Sequence, residues 1–192
     1  MDSRVEVARA IDGVLYCAEL LRSEAGHVIP MNLNAASMGR IAFTQRELIG
    51  VVVAVSAFNH PLNLIVHQVG PAIAAGCPVI VKPAEDTPLS CYRFVALLRE
   101  CGLPEGWCQA MVTENTTFTS QLVTDQRVGF FSFIGSAAVG WMLRSRLAPG
   151  ARCALEHGGA TPVLVASDAD LEAALASWSK GASTTPDRCA CR

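Results

Sequence analysis

Apolar residues fall along this chain in two different patterns, and the change from one to the other comes at Gly50. Before it, Val5, Ala8, Ile11, Val14, Leu15, Ala18 and Leu21 recur at the three-to-four-residue spacing of one helical face. That spacing predicts an amphipathic helix near residues 4 to 22, stopped by Gly26. His27 to Met31 and Arg40 to Gln45 read as two strands, with Asn32 to Gly39 as the polar turn between them. Both alternate apolar and polar residues poorly, which suits an arm or edge ribbon more than a core.

From Gly50 the apolar residues come in short unbroken runs. Val51 to Val55 is a strand of the kind buried on both faces. A helix follows from about Pro61 to Ala75, with Pro61 suited to its first turn and Gly76 closing it. Pro78 to Lys82 is the next strand, then a helix from about Pro88 to Cys101. Trp107 to Val112 is a third strand, Phe118 to Thr124 a short helix and Val128 to Phe133 a fourth strand. A helix over Ser136 to Leu147 leads to a fifth strand, Arg152 to Glu156. Pro162 to Val165 reads as one further strand and Asp170 to Lys180 as a final helix. Strands alternating with helices at this spacing imply βαβ units and a parallel sheet with helices on both faces.

Composition narrows the function. At 192 residues, 51% apolar and 17% charged, the chain can bury a core as one domain, or one domain with an appendage. Fifteen basic against 17 acidic residues leave a net charge of -2. That provides no basic face for nucleic acid and none for an anionic membrane. Met1-Asp2-Ser3-Arg4 does not begin a signal peptide, and the apolar runs are too short to span a bilayer, so a cytoplasmic protein is expected. The eight cysteines form no C-x-x-C pair. Six of them (Cys17, Cys77, Cys91, Cys101, Cys108 and Cys153) sit in apolar or helical surroundings and read as reduced, buried thiols. His27, His60, His67 and His157 show no ligand spacing with them, so no metal site is expected.

In an open parallel sheet, ligands bind at the carboxyl ends of the strands. Four segments stand there: Ser56-Ala57-Phe58-Asn59-His60-Pro61, Lys82-Pro83-Ala84-Glu85, Phe133-Ile134-Gly135-Ser136 and Glu156-His157-Gly158-Gly159. Gly135-Ser136 opens a helix whose free amides and positive dipole end suit a phosphate, or simply caps it. Lys82 and Glu85 offer a donor and an acceptor to ribose hydroxyls, or are a solvated lysine and a glutamate near a helix start. Asn59 could donate its amide to an oxyanion, or be a turn residue before Pro61. Glu156, before a glycine pair, stands as an active-site base often does. No G-x-G-x-x-G follows a strand, so the ordinary dinucleotide fingerprint is absent.

In order and spacing these segments resemble the NAD(P)-dependent aldehyde dehydrogenase superfamily. The resemblance runs through Asn59-His60-Pro61-Leu62, the stretch from Pro71 to Leu89 that holds Gly76-Cys77-Pro78 and Lys82-Pro83-Ala84-Glu85, Cys101-Gly102-Leu103-Pro104, Phe133-Ile134-Gly135-Ser136, Glu156-His157-Gly158-Gly159 and Asp168-Ala169-Asp170. It covers about residues 5 to 181. It implies a Rossmann-like α/β fold: an N-terminal helix and oligomerisation-type β-arm over 1–48, an NAD-binding domain over 49–181 and a divergent tail over 182–192. It implies Asn59 as the oxyanion-binding residue and Glu156 as the general base, with Lys82 and Glu85 on the adenosine ribose and Gly135 and Ser136 on the pyrophosphate. A glutamate at position 85 would repel a 2′-phosphate, so NAD is favoured over NADP. An aldehyde is the implied substrate. Association through the arm is implied too, either with copies of the chain or with an intact paralogue.

The sequence departs from the family in places. Ala57-Phe58 stands for the usual proline-tryptophan, Ile134 for a threonine and His157 for a leucine. Aligning Lys180-Gly181-Ala182 on the matching helix end puts Ala190 at the nucleophile position, between Cys189 and Cys191. Residues 183 to 192 no longer resemble the family, and the catalytic domain that should follow is expected to be missing by truncation or a frame change. In a complete enzyme of this type a cysteine thiolate attacks the aldehyde, hydride leaves to the nicotinamide and the glutamate activates water on the thioester. With alanine in place of the thiolate, this polypeptide is expected not to oxidise aldehydes.

Overall fold

The computed structural model describes residues 3–23, 26–158 and 164–175. The apolar runs after Gly50 become the sheet: β3 (Val51–Val55), β4 (Val79–Lys82), β5 (Cys108–Ala110), β6 (Val128–Ile134) and β7 (Arg152–Glu156), reached after a small ribbon of β1 (Val28–Ile29) and β2 (Ala42–Phe43). The five strands are all parallel and lie in the order β5-β4-β3-β6-β7. The chain therefore steps outward from β3 to one edge, returns, and steps outward to the other. The reversal lies between β3 and β6.

Helices α2 (Asn63–Ala74), α3 (Leu89–Glu100), α4 (Thr116–Val123) and α5 (Ala137–Arg144) make the crossovers. Alternate residues of β3 serve opposite faces, as strand geometry requires. Val52 and Ala54 pack with Ile65, Val66 and Val69 of α2 and with Phe94 and Val95 of α3. Val53 and Val55 pack with Val123 of α4, Leu143 of α5 and Phe131 and Phe133 of β6. A fully buried Val or Ile contributes roughly 1.5–3 kcal/mol, so these two layers hold the sheet. The sequence-predicted doubly covered parallel sheet is what forms.

Glycine ends two of these helices for a stated reason. Gly76 and Gly102 take φ of 75° and 96°, a conformation that a Cβ disfavours. Each is followed by an amide that reaches back five residues, Cys77 N–H to Ala72 O and Leu103 N–H to Leu98 O. This closes the last turn and saturates its carbonyls.

Several elements differ from the reading of the sequence. The arm strands shrink to two residues each, Val28–Ile29 paired with Ala42–Phe43, while the turn over Asn32 to Gly39 forms where expected. The third strand begins at Cys108, since Glu105–Trp107 forms a 3-10 turn. The short helix starts at Thr116, where Asn115 Oδ1 accepts from Thr117 and Phe118 N–H and caps it. Leu164 and Val165 join no strand, while 171–175 is helical as expected. Residues 162–163 of that strand and 176–180 of that helix lie outside the described residues. Cys101 is exposed on the terminal turn of α3, not buried, whereas Cys77, Cys91 and Cys108 are buried.

The first helix, α1 (Ser3–Ser23), departs furthest. It runs along α2, but the side that packs is Glu6, Ala10, Gly13 and Cys17. The predicted apolar face, including Val5, Ile11 and Leu15, is exposed. Small residues explain the inversion. A Cβ on Gly13 would lie 3.2 Å from Val66 Cγ1, and one on Gly70 would lie 3.0 Å from Cys17 Sγ. The helices meet closely where side chains are short, so dispersion contact outweighs the burial of larger residues elsewhere.

Candidate functional site

The exits of β3, β4 and β6 border one open cleft of about 430 Å³ at the reversal of strand order. Its lining includes Ser56, Lys82, Glu85, Phe133, Gly135 and Ser136. A larger depression of about 640 Å³ lies at the opposite end of the sheet, around Glu47, Arg127 and Arg152. Being at the amino ends of the strands, it is the wrong end for a ligand in an open parallel sheet. The smaller cleft is the candidate.

Each wall follows from local sequence. Lys82 closes β4, and its backbone carbonyl accepts the Ser56 N–H at 3.0 Å, which zips the exits of β3 and β4 together. Its side chain is 11% exposed and its Nζ donates to Glu85 Oε1 at 3.1 Å, while Glu85 is 55% exposed. An ammonium so buried needs a partner, and the turn Pro83-Ala84 brings Glu85 back to supply one. Ser56 Oγ, in the same lining, is buried with no hydrogen-bond partner among the described residues. Buried hydroxyls of this kind are normally satisfied, so a polar ligand or water is suited to the place.

Gly135 and Ser136 form the third wall. Gly135 N–H donates to the Glu156 carbonyl at 3.1 Å, so the exits of β6 and β7 are joined there. A Cβ on Gly135 would lie 2.7 Å from the Phe133 ring, so glycine is required. Ser136 is the N-cap of α5, its Oγ accepting from Val139 N–H at 3.5 Å. The helix thus begins at the edge of the cleft, with its positive end at Ser136. Lysine, carboxylate, hydroxyls and helix amides together suit a sugar-phosphate ligand, so the residues fit a dinucleotide.

Below the cleft, Gln68 of α2 bridges β3 and β6. Its Nε2 donates to Val55 O and Ser132 O, both at 3.2 Å. The signal in the sequence was a glutamine inside a largely apolar helix, but nothing there indicated which strands it joins.

Asn59 and Glu156 stand at their strand exits but outside the cleft lining. Asn59 is half-buried with its Oδ1 turned inward, where it meets no partner among the described residues. Glu156, the last residue of edge strand β7, is exposed. The residue after it, His157, packs edge-on against Trp141 at 5.5 Å and Phe133 at 6.2 Å between ring centroids. Its ring occupies the space that a Cβ on Gly140 would need, so its role is to seat β7 against α5. The structure thus brings together Lys82, Glu85, Gly135 and Ser136, the four cofactor candidates, and leaves the two catalytic candidates apart. Gly159, Cys189, Ala190 and Cys191 lie outside the described residues.

Comparison with known proteins decides the family. The aldehyde dehydrogenase family profile matches residues 1–191, and so runs on into the tail over 182–192 that the sequence reading sets outside the family. The chain belongs to the aldehyde dehydrogenase family. It is 39% identical over 173 residues to the 3-sulfolactaldehyde dehydrogenase of Priestia megaterium, a match covering 90% of this chain and 36% of that protein. Among solved structures it resembles the NADP-dependent glyceraldehyde-3-phosphate dehydrogenase of Bacillus halodurans complexed with NADP. There the TM-score is 0.85 at 30% identity, covering 92% of this chain and 37% of the other. It also resembles an NAD-dependent benzaldehyde dehydrogenase from Corynebacterium glutamicum, with a TM-score of 0.83 at 31% identity, covering 93% and 38%. The chain of this family member therefore spans little more than a third of the length of these relatives. Among its described residues no helix is long and apolar enough to cross a membrane.

Proposed function

We propose that the cleft binds NAD(P), with NAD preferred, and that the chain is the cofactor-binding part of an aldehyde-oxidising enzyme. One observation carries the reading: Lys82, Glu85, Gly135 and Ser136, separated along the sequence, share the wall of one cleft at the reversal of strand order. Lys82 and Glu85 hold ribose hydroxyls, the ammonium donating and the carboxylate accepting. Ser136 and the first turn of α5 take the pyrophosphate. Relatives of both cofactor types exist, so the preference rests on Glu85, whose charge opposes a 2′-phosphate. The dinucleotide, when bound, supplies a hydride acceptor. In an enzyme that also carries the thiolate, Asn59 would donate to the oxyanion of the substrate and Glu156 would activate water.

Ala190 favours a second clause of the reading. With alanine where the family resemblance puts the nucleophile, this polypeptide binds cofactor but does not itself oxidise aldehydes. It associates through the arm, where Val28, Leu33, Ile41 and Phe43 are exposed, with copies of itself or with a paralogue that carries the thiolate.

Calorimetric titration tests the cofactor site. The chain should bind NAD more tightly than NADP, and Lys82→Met should weaken NAD by about tenfold or more, the worth of one charge-assisted hydrogen bond. Absence of binding heat with both cofactors would contradict the reading. Aldehyde-dependent NADH formation by the purified chain would contradict its second clause.

A further inference from the structure

Helix α2 begins without a cap of its own. Leu62, at its N-cap, is in a helical conformation and makes no side-chain cap bond, and the first turn carries no acidic residue. Amides at a helix start have no partner within the helix. Here two of them are met from another element: Leu62 N–H donates to Glu6 Oε1 at 2.8 Å and Asn63 N–H to the same oxygen at 3.0 Å. Glu6 is 56 residues away from Leu62 in sequence, on α1. A carboxylate accepting two amides at the positive end of a helix serves as both cap and dipole partner.

The reason for borrowing a cap is visible in the loop. Pro61, directly before Leu62, has no side-chain acceptor, and Asn59, in the exit from β3, lies three positions before Leu62. The carboxylate is also well anchored. Gly13 and Gly70 let α1 sit against α2 at near-contact distance, so Glu6 is carried by a helix seated on the one it caps.

We infer that Glu6 is a positioning residue for Asn59: by fixing the first turn of α2 it fixes the loop from Ala57 to Pro61 and the direction of the Asn59 amide. The inference rests on the proposed role of Asn59 in the reaction. It makes α1 part of the machinery of the site, although no residue of α1 reaches the cleft.

The test is nuclear magnetic resonance on the 192-residue chain and its Glu6→Ala and Glu6→Gln variants. In Glu6→Ala, hydrogen exchange at Leu62 and Asn63 should accelerate about tenfold, the factor one charge-assisted hydrogen bond is worth. The Asn59 side-chain amide resonances should shift, while exchange in Val51 to Val55 stays unchanged. Glu6→Gln keeps an acceptor oxygen and should return both signals most of the way. A merely structural role would instead raise exchange in β3 and α2 alike and leave glutamine no better than alanine. Unmoved Asn59 resonances in folded Glu6→Ala, or no rescue by glutamine, would overturn the inference. If the alanine variant does not fold, Glu6→Asp, one methylene too short, takes its place: an Asn59 shift supports the inference and unmoved resonances overturn it. NAD titrated into the same samples reports on the cofactor cleft independently. Failure of wild-type chain to bind NAD counts against the proposed function, whereas an unmoved Asn59 counts against the role of Glu6.

Discussion

Lys82 and Glu85 show how much a single position can decide. The ammonium is nearly enclosed, and its observed partner is a carboxylate with most of its surface in water. Such a pair contributes little to stability when one member is so exposed, which leaves both groups available for recognition. Buried thiols lead to a different expectation. Burial first and the nearby Cys108 second push the Cys91 thiol up to about 12. Cys108 rises to about 11, again through burial, with Arg99 opposing the rise. Both groups keep their protons in the folded chain above pH 9, where the unfolded chain releases them. Stability should therefore fall as pH rises from about 9 towards 11, by at most about 1.4 kcal/mol per pH unit for each thiol. Mapped labelling with iodoacetamide at pH 8 should modify exposed Cys101 and spare Cys91 and Cys108. Native-state labelling of either would contradict this assignment.

At the scale of elements, the sequence was most legible where one physical cause acted alone. Val51 to Val55 is an unbroken apolar run and Val128 to Phe133 an apolar run interrupted only by Gly129 and Ser132, and both became inner strands of the parallel sheet. Gly76 ended its helix because the chain needs positive φ there. The exits of these strands carried polar and glycine residues, so Lys82, Glu85, Gly135 and Ser136 could be picked out as a group. In α1 two causes competed. Periodicity identified an apolar face, but close approach through Gly13, Cys17 and Gly70 chose the other side to pack. Glu6 was illegible for the same reason, since its partners are amides of a helix whose distance and orientation no local pattern encodes. Filling that contact tests the packing. Gly70→Leu should lower stability to urea by roughly 1–3 kcal/mol through overpacking, and adding Cys17→Ala should restore part of the loss because the two sites touch. An unchanged midpoint in the single variant would contradict the close approach of α1 and α2.

For the whole molecule, the sheet order determines the site. Moving outward from β3 in both directions leaves a crevice that neither half covers, and the polar exits of β3, β4 and β6 line it. The catalytic candidates Asn59 and Glu156 stand at the exits of β3 and β7 without entering that lining, and the chain spans about a third of its relatives. The central claim is thus that the chain folds as this sheet and that Lys82, Glu85, Gly135 and Ser136 form an NAD(P) site. The most direct measurement is a thermal unfolding scan of the chain with and without NAD. Ligand that binds only the folded state stabilises it, by about 2.7 kcal/mol at a hundredfold excess over Kd. The account predicts one cooperative transition that moves upward with NAD and moves less when Lys82 is replaced by methionine. A transition that NAD leaves in place, or no cooperative transition at all, would contradict it.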